Sequence, residues 1–270
     1  MQLCAAGGIS SVEVLLRRLR TLADLSGIES HIAAGLGPAM QHHRAGGELA
    51  GHGRVAHRPQ CVVSGWACRQ HLLPDGRRQI YALILPGDCI DVVLPRRTLR
   101  LAAVVALTAV QTLEAGSLRA CRDEPWPALA PALSKALDAS AAEEAALIET
   151  HMLRLGRMTA LERTAHLLLE LRDRLARVGL VQGARVPLPV TQDTLADLLG
   201  LSAVHLNRTL QQLRRERLIE LRAGVAVLLE PERLARIADY ESCLVDPEPT
   251  LEATLAPLRQ RLAASDPRLA

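Results

Sequence analysis

The stretch of residues 190–229 constrains the fold more than any other part of the chain. Thr191 can cap a short helix that ends at Gly200, whose freedom of backbone conformation suits a tight turn. Ser202 can then cap a second helix that runs to about Arg217. Two short helices joined by a glycine-containing turn are the pattern of a helix-turn-helix.

Two apolar stretches follow the second helix, Leu218–Leu221 and Val225–Leu229. They flank Arg222-Ala223-Gly224, a sequence suited to the tight turn of a hairpin. The pattern therefore predicts a β-hairpin beside the two helices, which together make a winged helix-turn-helix.

Helical geometry divides the second helix into two faces. Leu206, Leu210 and Leu213 share one face and must pack inside, so the polar residues on the opposite face point outward. Arg pairs with guanine, and Gln or Asn with adenine, in the major groove of double-stranded DNA. A solvated surface helix is the alternative, but the cap, the turn and the hairpin favour DNA binding. We predict these DNA-binding residues: Ser202, Ala203, Val204, His205, Asn207, Arg208, Gln211, Gln212 and Arg215.

Residues 44–125 show a different pattern, in which short apolar stretches alternate with glycine turns. Asp75-Gly76 predicts a hairpin turn, and Pro86-Gly87-Asp88 predicts another. Short strands with regular turn spacing favour an antiparallel β-roll or barrel. The apolar stretches that we expect to form strands are Cys61–Val63, Ile80–Leu85 and Leu101–Val110.

Helical patterns lie on both sides of this β-region. Val12–Leu25 has the spacing of a short amphipathic helix, and Gly35 and Gly37 break the chain after it. After the β-region, Gly156 is a candidate hinge that interrupts a second helical pattern. Thr159 and, three residues on, Glu162 can form a capping box that opens the next helix.

The helix before Gly156 carries two apolar stripes. Leu133, Leu137 and Leu147 can pack on the β-region. The other stripe repeats at alternating intervals of four and three, as a coiled-coil seam does. One wide core face is the alternative, but we favour a homodimer. Its predicted interface consists of Ala141, Ala145, Ile148, Met152 and Leu155.

Composition excludes several other classes. Aromatic residues make up 1% of the chain, too few for platforms that stack single-stranded bases. The six cysteines form no C-x-x-C pair, which argues against a zinc finger. We expect a cytoplasmic protein with reduced thiols, because we find no leader peptide and the longest apolar run, Leu101–Leu107, is too short to cross a membrane.

Three runs resemble the Crp/Fnr superfamily of bacterial transcription regulators. They are VTQDTLADLLGLSAVHLNRTLQQLRRERLI (190–219), LRLGRMTALERTAHLLLEL (153–171) and VVSGWACRQHLLPDGRRQIYALILPGD (62–88). The resemblance implies an α+β chain with an N-terminal antiparallel, cyclic-nucleotide-binding-like β-roll, a long dimerisation helix and a C-terminal winged helix-turn-helix. It also implies contact with RNA polymerase. In a dimer the two recognition helices should enter successive major grooves, so we expect an inverted-repeat operator.

We divide the chain accordingly. The expected parts are an N-terminal helical segment (1–43), the β-roll (44–125), the dimerisation helix (126–156), the DNA-binding domain (157–240) and a C-terminal tail (241–270).

The sequence departs from the family in its expected effector site. Members that bind cyclic nucleotides carry a Gly-Glu pair soon after the Gly-Asp turn and an Arg-Ser or Arg-Thr pair later. Here Gly87-Asp88 is followed by no Gly-Glu, and Arg97-Thr98 comes too soon. The candidate effector pocket is therefore Gly87, Asp88, Arg97 and Thr98, with an unknown effector that we do not expect to be cyclic AMP.

The sequence also lacks the grouped residues that would bind other cofactors of the family. An iron–sulfur cluster needs a close group of four ligands, and Cys4 stands alone in the N-terminal segment. The histidines that could bind haem are isolated: His42, His43, His57 and His71. The common family pattern has Glu where this chain has Val204, so we expect a different half-site.

Two other functions remain as alternatives. One is a cupin-like metal enzyme, which needs a His-x-His pair that this chain lacks; nor is there a G-x-S-x-G, P-loop or H-E-x-x-H motif. We therefore expect neither catalysis nor a metal. The other is a sensor or adaptor that uses the same β-roll without binding DNA; the polar face around Arg208 argues against it.

Overall fold

The computed structural model describes residues 10–35, 40–53, 58–92, 102–122 and 125–244. Two helices come first, α1 (Ser11–Arg20) and α2 (Gly27–Ala34). Ser10 caps α1, and Ser26 forms a capping box with Glu29 at the start of α2. The predicted helix over Val12–Leu25 is therefore present but shorter, and α2 follows it as a helix that we did not predict.

Two four-stranded antiparallel sheets form the roll. One has the order β1 (Met40–His43), β8 (Val110–Glu114), β3 (Gln60–Ser64) and β6 (Cys89–Ile90). The other has the order β2 (Glu48–Ala50), β7 (Ala103–Ala106), β4 (Ala67–Leu72) and β5 (Arg78–Ile84). Apolar side chains fill the space between them: Leu49, Val62, Ala67, Ile84, Ile90, Val104, Ala106 and Val110.

The strands differ from the expected ones, since β2, β4 and β6 were not predicted. Met40–His43, placed in the N-terminal helical segment by sequence, pairs with β8 as the first strand. The apolar run Leu101–Val110 does not form one strand, because the chain turns between β7 and β8. Thr108 Oγ1 accepts a hydrogen bond from the backbone N–H of Trp66 at this turn, at 2.9 Å. A Cβ at Gly65 would lie 2.0 Å from the Ala109 carbonyl oxygen, so only glycine fits there.

Three helices lead away from the roll: α3 (Gly116–Ala120), α4 (Trp126–Leu129) and the long α5 (Pro131–Arg157). The expectation that Gly156 interrupts the helix is wrong. A single glycine costs a helix only about 1 kcal/mol, so α5 continues through it. The break comes at Met158, whose ψ is 145°. Thr159 and Glu162 then form the predicted capping box of α6 (Ala160–Arg177).

The C-terminal part is a helical group with a small sheet. It contains β9 (Arg185–Pro187), α7 (Gln192–Leu199), α8 (Ala203–Arg215), β10 (Ile219–Arg222), β11 (Val225–Leu228) and α9 (Pro231–Ala238). The hairpin of β10 and β11 is the predicted wing. Sequence reasoning missed β9, which pairs with β11 and makes the wing three-stranded. Helix α6 packs against α8 and α9 and supplies buried Leu168, Leu171 and Leu175 to this core.

The cysteines differ from the expectation of reduced thiols. Cys61 on β3 and Cys89 on β6 face each other in the register and form a disulfide. The expectation failed because the two residues are neighbours only once the strands pair. Cys68 and Cys121 are buried and free, and burial raises the pKa of the Cys68 thiol to about 12.

Candidate nucleic-acid interface

Local hydrogen bonds fix the two helices of the helix-turn-helix. Thr191 Oγ1 accepts a bond from the Thr194 N–H at 3.2 Å and starts α7. Gly200 ends α7 in the left-handed conformation, with φ at +62°, which favours glycine. Ser202 Oγ accepts a bond from the His205 N–H at 3.2 Å and starts α8. Both predicted caps and the predicted turn are present.

The inner face of α8 anchors the helix. Leu206, Leu210 and Leu213 are buried, as predicted, and lie in the core that α6 shares with the wing. Thr209 is also buried, and its hydroxyl donates to the His205 carbonyl oxygen at 3.0 Å. With these contacts in place, the rotation of α8 is fixed and its other face must point to solvent.

The structure brings the predicted DNA-binding residues together on that exposed face. Val204 is 64% exposed, and Arg208 is also exposed. Arg208 makes no hydrogen bond or ion pair within the described part of the chain, so its guanidinium is free to bind a ligand. Gln212 is half-buried, and the remaining members are exposed: Ser202, Ala203, His205, Asn207, Gln211 and Arg215.

Two members of this face have partners inside the protein. Asn207 Nδ2 donates to Gln192 Oε1 at 3.1 Å, and Gln212 Nε2 donates to Glu216 Oε1 at 3.0 Å. Gln192 is thus a surface neighbour that sequence reasoning missed. Its position as the exposed first residue of α7 was the available signal.

The wing lies beside α8. Ala223 and Gly224 both have positive φ, 46° and 76°, as a two-residue hairpin turn requires. Ala226 and Leu228 face the core of the helices and are buried. Arg222 is exposed before the turn and pairs with Glu220 at 3.1 Å. The tip of the wing is therefore exposed to solvent and carries one ion-paired arginine.

Comparison with known proteins agrees with this geometry. Residues 162–237 match the model of the Crp-like helix-turn-helix domain. The chain is 33% identical, over 218 residues, to the transcriptional activatory protein AadR of Rhodopseudomonas palustris, and the match covers 77% of this chain and 88% of AadR. The chain belongs to the Crp/Fnr family of transcription regulators.

Further relatives support the same assignment. The nitrogen fixation regulation protein FixK of Bradyrhizobium diazoefficiens is 35% identical over 180 residues, which is 66% of this chain and 72% of FixK. The structure of FixK2 from Bradyrhizobium japonicum is similar with a TM-score of 0.63 at 30% identity, and covers 76% of this chain and 98% of FixK2. This Crp/Fnr regulator is therefore a DNA-binding protein and not an enzyme, and its α+β fold is as predicted.

Of the predicted effector residues of this Crp/Fnr regulator, Gly87 is closely packed, whereas Asp88 lines a cavity and is bound by internal partners. A Cβ at Gly87, where φ is +98°, would lie 3.0 Å from both Arg18 Cβ and Val178 Cγ1, so the turn is packed between α1 and the end of α6. Asp88 Oδ2 accepts bonds from the Leu85 N–H at 2.8 Å and from Arg174 Nη2 at 2.6 Å. Arg97 and Thr98 lie outside the described residues.

The predicted dimer seam lies on the outer side of α5. Ile148 is 40% exposed and Met152 is 67% exposed, while Leu133 and Leu137, of the other stripe, are buried. The two alanines of the seam differ in exposure: Ala145 is exposed and Ala141 is half-buried. Leu155 is half-buried. An apolar stripe is thus exposed along α5 in the single chain.

Side chains that could bind a metal are scattered over the described ranges. Within the part of the chain that the structure describes, no three His, Cys, Asp or Glu side chains are grouped to hold a metal ion. His42 lies 3.4 Å from Gln111 Nε2, and His43 lies 3.2 Å from Thr112 Oγ1. Across the same ranges, every helix is too short or too polar to span a lipid bilayer.

Proposed function

We propose that this regulator binds an inverted-repeat operator in the cytoplasm as a homodimer, with α8 of each protomer in a major groove. The observation that carries the proposal is the outer face of α8, where Arg208 is exposed and without a partner in the described chain. A free guanidinium can donate to both acceptors of a guanine edge without first breaking an internal bond.

The outer face divides into base-reading and phosphate-binding residues. Val204 and Arg208 lie toward the helix start and its middle, which enter the groove first. Arg214, Arg215 and Arg217 follow at the helix end, where we expect phosphate contacts that position the protein without reading sequence. Asn207 and Gln212 must exchange their internal partners for bases, so we assign them smaller roles. The common family pattern has Glu at the position of Val204. Val204 has no carboxylate and offers instead an apolar contact to the methyl group of a thymine.

Dimerisation through α5 supplies the symmetry. Ile148 and Met152 are exposed in the single chain, and an a/d seam of this kind buries its residues against a second copy. Two helices α8 related by a two-fold axis would enter successive major grooves, about 34 Å apart. Two half-sites in opposite orientation follow from that symmetry.

We propose that the regulator activates transcription. The name of AadR describes an activatory protein, and the family resemblance implies contact with RNA polymerase. In vitro transcription from a promoter that carries the selected operator tests this, since an activator raises and a repressor lowers the yield of transcript.

Selection of bound sequences from random duplex DNA tests the proposed binding. We expect enrichment of an inverted repeat whose half-site centres are one helical turn apart, and affinity that falls steeply with salt. A scrambled duplex of equal length is the control. The absence of an enriched sequence, or an affinity that does not change with salt concentration, would favour the adaptor function, in which the helix-turn-helix contacts a protein.

A further inference from the structure

A polar cavity lies where the roll, α5 and α6 meet. Its volume is about 60 Å³, enough for several water-sized groups. Tyr81 to Ile84 of β5 form one wall, and the sides of α5 and α6 that face the roll form the others. The charged and polar residues of its lining are Arg18, Arg69, Asp88, Glu144, His151, Arg154, Glu170 and Arg174.

Arg18 Nη1 is buried without a partner within the described residues, and Arg154 has the larger unused hydrogen-bonding capacity in this lining. The Arg154 side chain is 3% exposed, and its Nη2 donates to Glu170. Its Nε and Nη1 are buried and have no hydrogen-bond partner within the described residues. Buried donors without partners are costly, and a buried guanidinium more so, so these atoms need water or a ligand to satisfy them.

The neighbouring cations are held in place by their own ion pairs. Arg174 donates to Glu170 Oε1 at 3.2 Å and to Asp88 Oδ2 at 2.6 Å. Arg69 Nη2 lies 2.6 Å from Glu144 Oε1. The positions of these guanidinium groups are therefore fixed before any ligand arrives, which lowers the entropic cost of binding one.

The charge of the lining favours an anion. Four arginines face three carboxylates, so the lining carries a net positive charge. His151 does not change this, because burial and then Arg154 lower its pKa to about 4 and leave it neutral.

We propose that this cavity binds one small oxyanion, a phosphate or a short carboxylate, with Arg154 and Arg69 as its main donors. The planar fork of a guanidinium suits two oxygens of such a group. The volume excludes a nucleotide. Because β5 belongs to the roll and α6 to the DNA-binding part, the anion bridges the two parts of the regulator.

Calorimetric titration of the full chain without DNA tests the proposal. Inorganic phosphate and acetate are titrated separately at constant ionic strength, with chloride as the blank. We expect saturable binding of at least one of the two oxyanions, with one site per protomer. Arg154→Lys keeps the charge but loses the fork, so it should weaken binding about tenfold or more. Arg77→Gln, which removes an exposed arginine outside the cavity lining, should leave binding unchanged.

Two further variants separate binding in the cavity from binding elsewhere on the protein. Arg69→Gln repeats the test with a less buried arginine if Arg154→Lys does not fold. Arg208→Ala with Arg215→Ala removes two of the cations proposed to bind DNA and should leave oxyanion binding intact. Loss of binding in that double variant would overturn the cavity proposal and still leave the DNA-binding function standing. Heats equal to those of chloride, or binding unchanged by both cavity variants, would mean that only water occupies the cavity.

Discussion

Arg78 on β5 donates from Nε to Asp197 Oδ2 on α7 across 2.5 Å. Its Nη2 also lies 3.2 Å from Thr194 Oγ1, and Gln79 Nε2 lies 3.4 Å from the Asp197 carbonyl oxygen. The first helix of the helix-turn-helix is therefore docked on the roll by hydrogen bonds. The charged side chains are about a third exposed, 28% and 34%, so solvent screens the pair in part.

We expect Arg78→Ala to loosen this docking. Loss of a partly screened ion pair should lower the stability of the contact by about 1 kcal/mol. Hydrogen exchange should then speed up in α7 while the roll interior keeps its protection. Arg77→Ala is the matched control, because Arg77 pairs with Asp75 in an exposed turn. Unchanged exchange in α7 would show that the apolar contacts alone hold the helix.

The contact between Arg78 and Asp197 also marks the limit of sequence reasoning. The caps by Thr191 and Ser202 and the two faces of α8 follow from local spacing, and all were predicted. Arg78 and Asp197 are separated by 119 positions, and no local pattern pairs one arginine with one of many carboxylates. The disulfide and β9 were missed for the same reason, since each depends on a strand partner distant in sequence.

Arg208→Ala and Arg215→Ala should affect DNA binding differently. Loss of a bidentate contact to guanine costs about 1–3 kcal/mol of discrimination, so Arg208→Ala should weaken operator binding and nearly spare scrambled DNA. Arg215→Ala should weaken both and reduce the salt dependence by about one phosphate contact per protomer.

Affinities for the selected operator and a scrambled duplex, at two salt concentrations, measure the difference between these variants. Equal losses on both duplexes in Arg208→Ala would make Arg208 a phosphate contact. Val204, His205, Asn207 or Gln211 would then have to make the base-specific contacts.

The double variant Ile148→Glu, Met152→Glu should be monomeric. A carboxylate buried in an apolar seam without a partner costs several kcal/mol, enough to separate a modest dimer. Sedimentation velocity measures the change. Leu153→Glu is the control, because Leu153 is also exposed on α5 but lies off the seam. A double variant that stays dimeric, or a control that becomes monomeric, would place the interface elsewhere.

Cyclic AMP should not bind to the roll. Apolar side chains fill the described interior of the roll, and the Gly87-Asp88 turn is packed against α1 and α6. A phosphate and ribose placed there would lose their water without gaining partners, at about 1–3 kcal/mol for each group. Titration calorimetry at about 100 μM should give no heat of binding, whereas a cyclic-AMP-binding relative gives one under the same conditions. A micromolar dissociation constant would contradict this interpretation of the roll.

Two buried histidines should make the regulator less stable in mild acid. Burial, followed by the charge of Arg154, lowers the pKa of both His151 and His166 from 6.5 to about 4. Between these values the unfolded chain binds protons that the folded chain does not, so stability falls as pH decreases from 6.5 towards 4. The expected loss from pH 7 to pH 5 is on the order of 2 kcal/mol for each histidine. Glu144 acts in the opposite direction, because burial raises its pKa.

Urea unfolding at pH 5, 6 and 7 measures this dependence, and variants isolate its source. His166→Gln should reduce the change between pH 5 and pH 7 by about 2 kcal/mol and leave the part that comes from His151, because glutamine does not titrate. His205→Gln removes an exposed histidine on α8 and should leave the change as it is in the parent. A parent protein as stable at pH 5 as at pH 7 would contradict the assignment of the acid sensitivity to His151 and His166. A pH dependence that remains in the double variant His151→Gln, His166→Gln would contradict it as well. In that case the loss in acid would come from carboxylates such as Glu170, whose pKa the charges of Arg154 and Arg174 lower against the opposing effect of burial.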